Sequence, residues 1–101
     1  MKTRLELHAE LVKILGSRHV YFQPPENLRR QYPAIVYERA QGSNVYGDDI
    51  KYLKWHQYQI TIIDPNPDSG IVERMADFPY TRYVRHFTTE GLNHDVFKVV
   101  W

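Results

Sequence analysis

Between residues 55 and 63, Tyr58, Ile60 and Ile62 fall on one side of an extended backbone, and Gln57, Gln59 and Thr61 fall on the other. A period of two is that of a half-buried antiparallel strand, one face against a core and the other polar. Upstream the period lengthens. Leu7, Leu11, Ile14 and Leu15 recur at helical spacing, Thr3 and Glu6 spell a capping box, and Gly16 supplies the left-handed residue that closes a helix, which predicts a helix over residues 4–15. Val20–Phe22 suits a short strand. The prolines at 24, 25 and 33 make residues 23–33 an extended surface connector, because proline donates no backbone hydrogen bond. Ala34–Arg39 sets Ile35 and Tyr37 against Val36 and Glu38, again a strand. Residues 40–50 are rich in Gly, Asn, Ser and Asp and form a longer connection than a hairpin usually has, with the next strand starting near Tyr52.

After the Asp64–Pro65–Asn66–Pro67–Asp68 turn, Asp68 or Ser69 can cap a helix whose buried stripe is Ile71, Val72, Met75 and Phe78, stopped by Pro79. Residues 80–87 and 94–101 then read as a C-terminal hairpin joined by a loop over residues 88–93. The order predicts an α+β fold: an antiparallel or mixed sheet of about four to five strands with two helices packed on one face. The chain length of 101 residues fits one domain, 1–101.

Composition narrows the function classes. The chain has no cysteine, which removes disulfides, thiolate nucleophiles and cysteine metal sites. No apolar run is long enough to span a bilayer, and Glu6, His8, Glu10 and Lys13 interrupt the amino-terminal apolar residues, so neither a membrane partner nor a signal peptide is expected. A net charge of +1 is far from the basic excess that gathers a nucleic-acid backbone. The aromatic content is high, at eight Tyr, four Phe and two Trp; most should be core, with tyrosines beside arginines suited to protein contacts.

Candidate chemistry fails residue by residue. His8, His19, His56, His86 and His94 share no ligand spacing. His8 and Glu10 open a deaminase-like H-x-E whose cysteine partners are missing. Gly42 and Gly47 have phosphate-loop spacing, but Asp48 follows and would repel the phosphate. Asp48, Asp49, Asp64 and Asp68 suit turns better than a cation site, and no serine sits in a nucleophile elbow. No catalytic residue, metal or cofactor is therefore assigned. Arg82, Arg85 and His86, with Tyr80 and Tyr83 between, are the densest basic group and could stack on nucleic acid. On a regular strand, however, Arg82 and Arg85 point to opposite faces.

The segments LHAELVKILGSRHVYFQPPENLRRQYPAIVYE, Tyr58–Ile63 with DPNPDSGIVERM, and RHFTTEGLNHDVFKVVW together resemble a known group. They look like tail-completion or tail-terminator (head–tail joining) minor structural proteins of long-tailed bacteriophages and prophages of Gram-positive bacteria. The resemblance covers nearly the whole chain and rests on the order of these segments. It implies a non-enzymatic virion protein, assembled in the bacterial host cytoplasm, that forms a ring, expected to be hexameric, at the head-proximal end of the tail tube. Its partners would be further copies of itself, the tail tube protein and the head–tail connector, with DNA only as passing cargo. The candidate contact residues are Asn44, Tyr46, Asp48 and Asp49 in the long loop, with Arg82 and Arg85. Alternatives are a head-side connector or adaptor, a small nucleic-acid-binding module, and a metal-dependent enzyme using the aspartates and histidines.

Overall fold

A computed structural model describes residues 3–26, 28–40 and 56–101. Helix α1 (Arg4–Leu15) is followed by strands β1 (Val20–Phe22), β2 (Ala34–Arg39) and β3 (Gln57–Asp64), then helix α2 (Gly70–Ala76) and strands β4 (Thr81–Thr89) and β5 (Leu92–Val100). The strands form one five-stranded sheet in the order β1-β2-β3-β5-β4. The β1–β2 pair is parallel and the remaining pairs are antiparallel. The protein is thus α+β with a mixed sheet.

Local chemistry sets the helix ends. The Thr3 side chain accepts from the Glu6 amide at 3.2 Å while Glu6 Oε1 accepts from the Thr3 amide at 3.1 Å, so two amides without helical partners are satisfied reciprocally. Gly16 closes α1 at φ 85°, donating its amide to Val12 O at 2.8 Å. Ser69 caps α2 by accepting from the Ile71 amide at 3.2 Å. The turn before it is built from Asx bonds: Asp64 Oδ1 takes the Asn66 amide at 2.8 Å and Asn66 Oδ1 takes the Asp68 amide at 2.9 Å.

Leu7, Leu11 and Leu15 of α1 and Ile71 and Met75 of α2 close over one sheet face, where Val20, Ile35, Tyr37, Tyr58, Ile60, Ile62, Phe97 and Val99 complete the core. The alternation legible in the sequence is the one the sheet uses: Tyr58, Ile60 and Ile62 are buried and Gln59 and Thr61 only half so. Arg74 Nε ties the helices together by donating to Ile14 O at 2.8 Å. Residues 52–55, assigned to the start of β3 by sequence pattern, lie outside the described residues.

The C-terminal hairpin differs from expectation. Its strands run to Thr89 and from Leu92, so the link is the two residues Glu90 (φ 54°) and Gly91 (φ 76°) rather than a loop over 88–93. Two successive left-handed residues make the primed turn whose twist matches the flanking strands. The sequence signal was weak because glutamate stands where Asn or Asp usually takes the first position.

Candidate interaction surface

Strand β4 lies at the edge of the sheet, hydrogen-bonded on one side only, to β5. It is the most exposed of the strands: after Thr81, every residue through Thr89 is exposed. Its register carries the main correction to the sequence reading. Arg82 pairs with Lys98, Tyr83 with Phe97 and Arg85 with Val96, leaving Val84 as an extra residue in a bulge. Directly paired residues of an antiparallel ladder share a face, and Lys98 and Val96 are two apart. Arg82 and Arg85 therefore lie on the same face, together with Lys98. A bulge offsets the period by one residue, and nothing local in the sequence announces it.

This face is the one turned away from the helices. Arg85 places its guanidinium 5.0 Å from the centre of the Phe87 ring, and Phe87 stacks on His94 at 4.6 Å with an interplanar angle of 14°. Among the described residues, the one ion pair within 4.0 Å is Lys13 with Glu10, so Arg82, Arg85 and Lys98 have no carboxylate partner there. Nearby on the same sheet, Glu38, Arg39, Ala40, Gln59 and Lys98 line an open polar groove of about 380 Å³.

The helix-side face of the hairpin is held by polar contacts. Tyr83 packs edge-on against Phe97 at 5.1 Å and donates its hydroxyl to Asp95 at 3.0 Å. Partial burial, then the bond to Asp95, raises the Tyr83 pKa above that of an ordinary phenol. His86 Nε2 and Asn93 Oδ1 lie 3.2 Å apart, and the Asn93 amide group donates to Asp64 O at 3.1 Å.

A second concavity escaped the sequence reading. Glu6 and Glu10, one turn apart on α1, face Phe78, Pro79, Tyr80 and Trp101 across a groove of about 430 Å³. Trp101 stacks on Phe78 at 5.7 Å and 18°, and its indole N–H donates to Thr3 O at 2.7 Å. Tyr80 is 74% exposed and sits at φ 57°, a conformation uncommon for a non-glycine residue and shared here by the turn residue Glu90 and by Gln23. The Val100 amide bonds to its carbonyl at 3.1 Å and keeps it there. Sequence placed the end of α2 at Pro79, whereas the helix ends at Ala76 with Asp77 as its cap, and no local signal gives Tyr80 a positive φ.

The remaining candidates separate. Asn44, Tyr46, Asp48 and Asp49 lie outside the described residues. The five histidines have separate surroundings: His8 at Tyr37, His19 at Ser17, His56 at Tyr58, His86 at Asn93, and His94 at Phe87 and the Leu92 carbonyl. No group of three or more His, Asp or Glu side chains able to hold a metal ion gathers among the described residues. No helix among them is long and apolar enough to cross a membrane.

The chain matches no family model, no curated protein and no solved structure.

Proposed function

We propose that the protein is a non-enzymatic virion assembly subunit of the tail-completion type, one that closes the head-proximal end of a bacteriophage tail tube as a ring and joins it to the head connector. The observation that carries this reading is the edge strand β4, nine residues long and exposed nearly throughout, on a sheet whose opposite edge is the three-residue β1. A long free edge is a template for pairing with another chain, and on β4 the Val84 bulge and the two arginines make that pairing selective, admitting a strand that meets their charge and excluding a like-charged one. Two unlike edges favour a head-to-tail contact, which repeats until it closes into a ring. The resemblance along the sequence supplies the tail tube and the connector as partners and a hexamer as the ring. On this reading the protein acts at the head–tail interface of the virion, and DNA only passes through it.

The test is negative-stain electron microscopy of the purified protein, alone and mixed with tail tubes and with connectors. Rings, or added density at one end of each tube, are the expected result. Binding to connectors with bare tube ends would move the subunit to the head side. A strict monomer that leaves tubes and connectors untouched would overturn the assembly reading.

The shared face of Arg82, Arg85 and Lys98, next to the Phe87–His94 stack, favours a second reading, a nucleic-acid-binding module. It requires oligonucleotide binding that weakens steeply with salt, because each neutralised phosphate releases counterions.

A further inference from the structure

We propose that the groove between α1 and the start of β4 receives the basic row of a second copy, so that Arg82, Arg85 and Lys98 of one subunit dock on Glu6, Glu10, Tyr80 and Trp101 of the next. The inference deepens the ring reading above and rests on it. Three observations bear on it. The cations form a row because the Val84 bulge brings Arg82 and Arg85 to one face. There Arg82 is paired directly with Lys98, a cross-strand juxtaposition of like charges that is unfavourable in an isolated subunit. Among the described residues no carboxylate lies within ion-pair distance of any of the three, so the row lacks an anionic partner there.

The groove has the complementary chemistry. Glu6 and Glu10 present carboxylates from adjacent turns of one helix, Glu6 also capping α1 and Glu10 also pairing with the exposed Lys13 at 3.3 Å. Tyr80 offers a ring face beside them, next to the Phe78–Trp101 stack. A guanidinium is held by both kinds of group, by charge-assisted hydrogen bonds at its edge and by the aromatic quadrupole at its face. Tyr80 is fixed in an unfavourable backbone conformation with most of its surface in solvent, which places a ring at the rim without occupying the groove.

Position completes the case. The groove opens on the helix side of the sheet and the row lies on the opposite side. A contact between them joins the back of one subunit to the front of the next, the head-to-tail arrangement of a ring. Each added copy leaves one groove and one row free until the ring closes.

The experiment measures ring mass by sedimentation velocity and electron microscopy for the full chain and four variants, with circular dichroism to verify folding. Glu10→Arg is used because Glu6 also caps α1. Glu10→Arg alone and Arg82→Glu/Arg85→Glu alone should each cut the ring fraction at least tenfold. The triple variant should restore it by exchanging the charges. Tyr80→Gly separates interface from scaffold: relief of the positive φ should raise the melting temperature while rings weaken, whereas a purely structural tyrosine would leave assembly unchanged. Wild-type rings that persist through every substitution would overturn the inference and leave the ring reading standing. A wild-type protein that forms no rings would overturn both. Loss of oligonucleotide binding in Arg82→Glu/Arg85→Glu, with rings intact, would assign the row to nucleic acid and overturn the docking.

Discussion

The Tyr37 hydroxyl sits at the base of α1, where Arg4 Nη1 donates to it at 3.1 Å and His8 Nδ1 lies 2.8 Å away. With Arg4 as donor, the hydroxyl proton is available to a neutral His8. Tyr37 is wholly buried, and burial raises its pKa, so it remains a donor across the physiological range. Removing the hydroxyl in Tyr37→Phe should cost about 1–3 kcal/mol, since Arg4 and His8 both lose a partner in a part-buried setting; urea unfolding measures it. Burial, and then the charge of Arg4, lowers the His8 pKa from its ordinary value. The unfolded chain therefore takes up the proton first. This group's contribution to stability is fully present above the unfolded histidine pKa of about 6.5 and is lost as pH falls from there through the lower folded value. Melting temperatures of wild type and His8→Gln, compared from about pH 7.5 to 5, should show the smaller pH dependence in the variant. Neither contact is readable in sequence. His8 there is one of five isolated histidines, and only the packing of α1 on β2 brings it to Tyr37.

Among the elements, α1 was legible to the residue, Thr3 with Glu6 and Gly16 bracketing Arg4–Leu15, because caps are settled within one helical turn. For α2 the sequence offered Asp68 or Ser69 as the cap and a stripe reaching Phe78; Ser69 is the cap, and the helix ends at Ala76. The strands were legible where one face is buried, as in Ala34–Arg39. Strand β4 has almost no buried face to give it a pattern, and its bulge depends on a partner strand, so the shared face of Arg82 and Arg85 could not be read from spacing. The hairpin turn offers a direct check. At Gly91, φ is 76° and no heavy atom lies within 4 Å of an added Cβ, so Gly91→Ala should lose about 1–2 kcal/mol from backbone conformation alone. A thermal melt of the variant measures this without a steric contribution.

For the whole molecule, stability comes chiefly from the core between the helices and the sheet. Leu11, wholly buried under α1, should cost about 2–5 kcal/mol on truncation to Ala, read by chemical denaturation. Strand β4 is exposed almost throughout, whereas the groove joins exposed Glu6 and Tyr80 to Phe78 and Trp101, which pack against that core. The exposed edge also bears on how the protein behaves before it meets a partner. Tyr83, Val84 and Phe87 are exposed large apolar groups along one edge strand, a combination that invites irregular stacking of chains. Arg82 and Arg85 stand among them as gatekeepers, since a misplaced strand would have to bring like charges together. Arg82→Ala/Arg85→Ala should accordingly scatter light at lower protein concentration than wild type, whereas Arg82→Glu/Arg85→Glu should stay clear. The same two arginines would then give the free subunit its shelf life, holding it in solution until a partner surface is available.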